Sequence, residues 1–127
     1  MNAQIVLYVV AAFALALFLR RAWRIRSLRH YAPADVDGLL KSKVDVLLLD
    51  VRTDAEFRAG SLRGAVHIPL PSLRSRLKEL EKYRGKDIVC FCQSGNRSVS
   101  AALLLRGEGF KVANLRGGLV EWKFAHR

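Results

Sequence analysis

Two short apolar runs constrain the fold of this chain more than any other feature. Residues 44–51 read VDVLLLDV, and residues 87–91 read DIVCF. Nearly continuous apolar runs of this length are typical of strands buried on both faces, which occur mainly in parallel sheets covered by helices. Helical patterns separate these runs from the other strand-like segments. The sequence therefore predicts an α/β fold, an open and mostly parallel sheet with helices on both faces.

The other predicted elements alternate between helix and strand, as such a sheet requires. A helical pattern begins at Pro33, and an amphipathic one begins at Pro71 with Leu73, Leu77 and Leu80 on one side. Gly117 and Gly118 form a tight turn. Shorter helices are predicted at 54–58, 99–105 and 120–124, and shorter strands at 65–68 and 112–115.

The N-terminal segment has a different character. Residues 5–19 are uninterrupted apolar, and five arginines follow within residues 20–29. About 19 residues are free of charge, close to the ~20 that span a bilayer, and Trp23 lies where an interfacial indole is expected. A cleaved signal peptide would carry positive charge before the apolar run, and a core helix would not border five arginines. Both alternatives stay open, but the pattern favours a membrane anchor.

Five of the positive charges behind the net charge of +11 lie directly after that segment. Residues 30–127 carry seventeen Lys and Arg against eleven Asp and Glu, with no basic stripe interleaved with aromatic residues. This distribution argues against a nucleic-acid partner, and the arginine cluster predicts that the C-terminal domain faces the cytoplasm. We expect a transmembrane anchor at 1–22, a basic juxtamembrane linker at 23–31 and one domain at 32–127.

The two cysteines, Cys90 and Cys92, do not form a disulfide framework. Side chains two apart on a strand point to one face, which disfavours a bridge and indicates a reducing compartment. We interpret Cys90 as a core residue; the alternative is that it resolves an oxidised Cys92 into a disulfide. No metal site is expected, because a Cys-x-Cys pair lacks two further ligands at sensible spacing.

The segment that carries chemistry is CQSGNRS, residues 92–98, between a buried strand and a helix. Small and polar residues allow the backbone to curl so that successive N–H groups point inward, and the helix N-terminus adds a partial positive charge. A cysteine at the centre of this cradle is stabilised as a thiolate, and Arg97 would add to that effect. Cys92 is therefore a candidate nucleophile that could carry a group covalently.

From about Ala32 to Phe124 the chain resembles a single-domain rhodanese. Three segments carry the resemblance in order: LLLDVRTDAEFRAGSLRGAVHIP, CQSGNRS and GFKVANLRGGLVEW. The resemblance implies an open five-stranded parallel sheet, a persulfide on Cys92, and transfer of sulfane sulfur from a small donor to a thiol, a cyanide or a sulfur-accepting protein. It implies no cofactor. By the same resemblance, the residues of the substrate cradle are Gln93, Ser94, Gly95, Asn96 and Arg97.

Two other functions fit the same fold. Related phosphatases and arsenate reductases place five residues between the loop cysteine and arginine, whereas four separate Cys92 from Arg97; a tighter ring suits a single sulfur atom better. A non-catalytic docking adaptor would not need the intact cradle. Gly60-Ser61-Leu62 replaces the usual Gly-His-Ile, and the loop has one cation where many thiosulfate-using members have two, which leaves thiosulfate as the donor in doubt.

Polar residues outside the loop are interpreted as structural. Asp50 and Arg52 belong to the DVR motif and Glu56 follows one helical turn later, so we expect polar contacts near the loop. His67 lies on a strand and is expected to be a hydrogen-bonded edge histidine. A separate base is not required if Cys92 is already ionised.

Overall fold

The computed structural model describes residues 1–127, and its central element is a five-stranded sheet in which all the pairings are parallel. The strands are β1 (Arg29–Tyr31), β2 (Val46–Asp50), β3 (Val66–His67), β4 (Asp87–Phe91) and β5 (Val112–Leu115). The helices are α1 (Ala3–Ser27), α2 (Pro33–Lys41), α3 (Asp54–Ala59), α4 (Leu70–Leu73), α5 (Asn96–Gly107) and α6 (Gly118–Ala125). A 3₁₀ segment, Arg74–Tyr83, follows α4.

The strand order is β1-β5-β4-β2-β3. The two apolar runs form β2 and β4, which pair along their whole length from Val46 with Asp87 to Asp50 with Phe91. Parallel strands end at one edge of the sheet, and ligand sites in such sheets lie beyond that edge. The predicted α/β fold with an open parallel sheet is confirmed, and the loop after Phe91 lies at the expected position.

Alternate residues of the central strands pack into two separate cores. Leu49 and Cys90 belong to the larger core, which α5 and the 3₁₀ segment cover, and Leu48 and Phe91 belong to the smaller one beneath α2. Because side chains alternate across a strand, both faces must be apolar when both are covered. The helices therefore lie on both faces, and Cys90 is a core residue as predicted.

Helix α1 extends away from both cores. None of its residues is buried, and its apolar side chains are exposed along its length. Its 25 residues span about 37 Å at 1.5 Å per residue, against a hydrocarbon core of ~30 Å. It is the one helix of the structure that is both long enough and apolar enough to cross a membrane.

The structure corrects the expected linker at 23–31. The helix continues to Ser27, Leu28 is buried in the larger core, and Arg29–Tyr31 pairs with β5 as an edge strand. A three-residue strand is too short to show an alternating pattern, so its only signal is the partner strand more than 80 residues away. The sheet therefore begins directly after α1.

Helix boundaries also differ from the prediction. The helix expected from Pro71 begins at Leu70 and is short; after Leu73 the chain continues as a 3₁₀ segment with a break at Arg76. Its leucines still face the core, because Leu73 and Leu80 are buried and Leu77 packs against them. Helix α5 begins at 96 rather than 99, and α6 at 118 rather than 120.

Candidate active site

The candidate site is the turn between β4 and α5. Phe91 ends the buried central strand, Asn96 begins the helix, and Cys92 lies between them with 1% of its surface exposed. Ser94 and Asn96 are exposed at the mouth of the turn, and Gln93 is partly buried. The sequence therefore places a nearly enclosed cysteine at the carboxyl edge of the sheet, where a reactive group is expected.

Backbone N–H groups face the sulfur. The Gly95 N–H donates to Cys92 Sγ over 3.1 Å, and the N–H groups of Ser94 and Ser98 also stabilise the thiolate. Gly95 takes φ +100°, a left-handed conformation that side chains other than glycine rarely adopt, and an added Cβ would lie 3.2 Å from Gly117 N. The curled loop thus forms the predicted amide cradle at the N-terminus of α5.

The start of α6 holds the outer side of the same loop. The Leu119 N–H donates to Cys92 O over 2.8 Å, and the Val120 N–H donates to Gln93 O over 3.1 Å. Gly118 makes this approach feasible, because a Cβ there would lie 2.5 Å from Cys92 O. With its carbonyls bound by α6, the loop is fixed with its amides toward the sulfur.

The pKa values of the two cysteines are shifted in opposite directions. Burial opposes ionisation of Cys92, but the surrounding N–H groups, together with the Ser98 hydroxyl when it donates to the sulfur, outweigh burial and hold the pKa of Cys92 below its usual value. Burial, together with the neighbouring Cys92 charge, raises the pKa of Cys90 to about 12. Cys92 is therefore the nucleophile candidate, whereas Cys90 remains a protonated thiol near neutral pH.

Arg97 contacts a carboxylate rather than the sulfur. Its Nη1 and Nη2 donate to Glu56 Oε1 and Oε2 over 2.6 and 2.9 Å, and no hydrogen bond joins it to Cys92. The hydrogen bond from Arg97 lowers the pKa of Glu56 to about 2. The stabilisation by this pair is complete above the ordinary glutamate pKa and is lost only as the pH falls toward 2. Arg97 was expected to add to the stabilisation of the thiolate; in the structure it links α5 to α3 and makes no hydrogen bond to the sulfur.

A buried ion pair supports the loop from β2. Arg52 Nε and Nη2 bind the carboxylate of Asp50, Nη2 also donates to Gly60 O over 2.7 Å, and Nη1 donates to Gln93 Oε1 over 3.3 Å. Asp50 and Arg52 are 0% and 3% exposed. Ser61 Oγ donates to Asp50 Oδ2 over 2.7 Å, so the serine that replaces the family histidine has a structural role. These are the polar contacts near the loop that were predicted.

His67 is a hydrogen-bonded histidine at the edge of the sheet. Its Nε2 lies 2.8 Å from Arg52 O, and its ring stacks on Phe57 at 4.3 Å between centroids. These contacts explain its position without a catalytic role. No group of three or more His, Cys, Asp or Glu side chains is arranged to hold a metal ion.

Sequence reasoning missed the residues behind the sulfur. Ser98 is fully buried, with its Oγ 3.4 Å from Cys92 Sγ and 2.5 Å from Asn114 Oδ1. Asn114 in turn lies 3.2 Å from His30 Nδ1. Ser98 is the last residue of the CQSGNRS motif, and its place in the first turn of α5 could have indicated that it contacts the sulfur. Asn114 and His30 had no local signal, since they reach the site only through the β1–β5 pairing.

The comparisons with known proteins agree with this geometry. The model of the rhodanese-like domain family matches residues 32–125. A sulfurtransferase of Allochromatium vinosum is 42% identical over 79 residues, which cover 61% of this chain and 72% of that protein. The uncharacterized protein YqhL of Bacillus subtilis is 32% identical over 124 residues, or 96% of this chain and 94% of that protein.

Other relatives share only the domain. The tRNA uridine(34) hydroxylase of Acinetobacter baumannii is 36% identical over 98 residues, and the alignment covers 73% of this chain but 31% of that enzyme. The crystal structure of a rhodanese-related protein from Thermoplasma volcanium matches with a TM-score of 0.69 and 32% identity, covering 76% of this chain and 92% of that one. The family model, the relatives and the fold agree: this chain belongs to the rhodanese-like family, which includes sulfurtransferases and a tRNA uridine(34) hydroxylase among its relatives.

Proposed function

We propose that the protein is a sulfurtransferase in which Cys92 accepts sulfane sulfur as a persulfide and passes it to a thiol or cyanide. The observation that carries this proposal is the enclosed Cys92 sulfur, which faces backbone N–H groups that lower its pKa. A persulfide anion at the same position would retain those donors. The cradle formed by residues 92–97 therefore suits both the attacking thiolate and the product that it holds.

The chemistry balances without a cofactor. The Cys92 thiolate attacks the outer sulfur of a donor R–S–SH, the bond between the two donor sulfurs breaks, and the donor leaves as a thiolate. The acceptor thiolate then attacks the outer sulfur on Cys92 and regenerates the Cys92 thiolate. With a thiol acceptor, each step exchanges one sulfur–sulfur bond for another. With cyanide, the cyanide carbon attacks the outer sulfur, a carbon–sulfur bond replaces the sulfur–sulfur bond, thiocyanate leaves, and the Cys92 thiolate is regenerated. Neither route consumes an added oxidant or reductant.

The charges around the site favour a persulfide donor over thiosulfate. Arg97 is the only cation in the loop, and Glu56 neutralises it in a bidentate pair. Arg52 is buried and paired with Asp50. A dianion such as thiosulfate would meet no unpaired cation at the loop, whereas a persulfide presents a single charge to the amide cradle. We therefore propose a low-mass or protein persulfide as donor, and a thiol, including that of a sulfur-accepting protein, as acceptor.

Turnover assays with matched donors test the reaction class. The full chain, in non-ionic detergent, should transfer sulfur from glutathione persulfide to cyanide faster than from thiosulfate at equal concentration. It should not hydrolyse an aryl phosphate or reduce arsenate. Phosphate hydrolysis without sulfur transfer would contradict the proposal and place the protein with the phosphatases of this fold.

Releasing Arg97 from its partner should improve the use of thiosulfate. In Glu56→Gln the guanidinium keeps its place but loses the neutralising charge, so KM for thiosulfate is expected to fall roughly threefold; solvent limits the effect because both side chains are about a third exposed. Stability should drop by less than about 1 kcal/mol.

Glu79→Gln is the matched control for this change. It removes the partner of Arg76 on the exposed 3₁₀ segment, away from the loop, and should leave KM for thiosulfate unchanged. An equal fall in both variants would mean that overall charge, rather than Arg97, governs thiosulfate use.

We also propose that α1 anchors the protein in a membrane with the domain on the cytoplasmic side. Its exposed apolar surface and the arginine cluster that follows support this orientation. The alignment with YqhL covers 96% of this chain and therefore extends into this helix. The full chain should remain in the membrane pellet after alkaline carbonate extraction. A reporter fused after Arg127 that is active only outside the cytoplasm would contradict the orientation.

A further inference from the structure

A chain of hydrogen bonds leads from the Cys92 sulfur to the last turn of α1. Cys92 Sγ lies 3.4 Å from Ser98 Oγ, which lies 2.5 Å from Asn114 Oδ1. Asn114 Nδ2 lies 3.2 Å from His30 Nδ1, and His30 Nε2 lies 2.9 Å from Ile25 O. His30 and Asn114 are direct partners in the pairing of β1 with β5, which brings their side chains together.

The donor and acceptor at each hydrogen bond follow from the last acceptor, the carbonyl of Ile25. A backbone carbonyl only accepts, so His30 Nε2 must carry a proton, and in a neutral imidazole Nδ1 is then an acceptor. Asn114 Nδ2 therefore donates to His30, and Asn114 Oδ1 accepts the single proton of the Ser98 hydroxyl. Ser98 Oγ is left to face Cys92 as an acceptor.

This arrangement determines which form of Cys92 the hydroxyl supports. While the Ser98 proton is held by Asn114, Ser98 can accept from a Cys92 thiol but cannot donate to a thiolate. The shorter distance on the Asn114 side, 2.5 Å against 3.4 Å, places the proton there. If the Asn114 amide inverts, its Nδ2 donates to Ser98 and the hydroxyl is free to donate to the sulfur. That inversion turns Asn114 Oδ1 toward His30 Nδ1, which must then carry a proton.

We propose that Asn114 and His30 are positioning residues for Cys92, which act through the Ser98 hydroxyl to set how readily the sulfur ionises. The inference rests on the proposed function, since it concerns the same thiol. Neutral His30 holds the chain in the orientation that favours the thiol. Protonated His30 donates from both ring nitrogens and permits the orientation that favours the thiolate. The hydrogen bonds also connect the Cys92 thiol to α1, because the backbone carbonyl of Ile25 is the last acceptor in the series.

Charged side chains lie near both ends of this hydrogen-bond chain. At the sulfur end, Arg97 is paired with Glu56 from α3. At the helix end, Arg106 of α5 donates to Ser27 Oγ and Arg24 O on either side of Ile25. The buried pair of Asp50 and Arg52 also lies at the sulfur end and reaches the loop through Gln93. Arg24, Arg26 and Arg29 flank Ile25 and His30 in the sequence.

The pH dependence of Cys92 alkylation by iodoacetamide tests the proposal in the full chain. The pKa of Cys90 is raised to about 12 whereas that of Cys92 is lowered, and Cys90→Ala is used as the background for every variant, so the reaction reports Cys92. His30→Phe keeps an aromatic ring at this position but releases Asn114. At pH values above 7.5 at which Cys92 is not yet fully ionised, the alkylation rate should therefore rise roughly threefold to tenfold, about the effect of one hydrogen bond. Asn114→Asp can only accept from Ser98, so the rate should fall roughly tenfold or more at the same pH.

Opposite shifts are the signature of positioning, because general damage to the loop would move both variants in the same direction. In a Ser98→Ala background, His30→Phe should have no effect, since the hydroxyl through which it acts is absent. His126→Phe is the matched control, because His126 contacts Asp37 and Trp122 on the surface and is expected to leave the rate unchanged.

Shifts of the same sign in His30→Phe and Asn114→Asp, no shift in either, or a His30 effect that persists without Ser98 would each overturn the proposal. Alkylation of Cys92 does not require that the protein transfers sulfur. A protein with the expected shifts but no sulfur transfer would leave this inference standing and contradict only the proposed function.

Discussion

Cys92→Ser is expected to reduce sulfur transfer to the rate of the uncatalysed reaction with every donor. Serine fits the same position and keeps the contacts of the loop, but a hydroxyl does not ionise near neutral pH and cannot form a persulfide. Stability should change little, because the substituted atom is similar in size and faces N–H donors. Initial rates with glutathione persulfide and cyanide, measured on the full chain in detergent, check the loss.

Cys90→Ala provides the matched control for this loss. Cys90 lies two residues away in the same core, but it is fully buried and its pKa is raised to about 12, so it should take no part in transfer. The variant should retain most of the activity and lose about 1 kcal/mol of stability, as for removal of a small buried group. Equal loss of activity in both variants would contradict the assignment of Cys92 as the carrier and favour a mechanism in which both thiols act.

Asp50→Ala is expected to cause the largest loss of stability in the domain. Removing the carboxylate leaves the Arg52 guanidinium buried with only Gly60 O and Gln93 Oε1 as partners. Breaking one side of a buried ion pair costs about 3–5 kcal/mol, a large part of the ~5–15 kcal/mol that stabilises a typical domain. The free energy of unfolding of the full chain in urea, in non-ionic detergent, measures the loss.

Asp45→Ala is the control for Asp50→Ala. The Asp45 side chain is 68% exposed and pairs with Lys86 at the surface over 3.2 Å, so its removal should change stability by less than about 0.5 kcal/mol. A loss below about 1 kcal/mol in Asp50→Ala would mean that Arg52 finds other partners and that the pair does not support the loop. Asp50→Ala should also transfer sulfur more slowly, because Asp50 no longer orients the Arg52 guanidinium that donates to Gln93.

The sequence predicted the elements that carry strong local patterns. The runs that form β2 and β4 are apolar without alternation, and this indicated a sheet covered on both faces before any contact was known. β1 was missed because three residues carry no period, and its position depends on pairing with β5. The segment after Leu73 was predicted as an α-helix because leucines spaced by four and three fit an α-helical stripe, yet it forms a 3₁₀ segment.

In the candidate site too, features set by local sequence could be predicted and those set by distant contacts could not. The cradle around Cys92 could be predicted because the strand, the small residues and the helix are contiguous in sequence. The partner of Arg97 could not, because Glu56 lies 41 residues away and spacing alone does not reveal which charge a guanidinium will meet. Asn114 and His30 were missed for the same reason, since tertiary contacts bring them behind the sulfur.

The intact mass of the full chain after incubation with glutathione persulfide tests the central claim most directly. The reduced protein should gain the mass of one sulfur atom, cyanide should remove it, and Cys92→Ser should gain nothing under the same conditions. A protein that gains no sulfur, or a Cys92→Ser variant that gains as much as the parent, would contradict the assignment of Cys92 as the sulfur carrier.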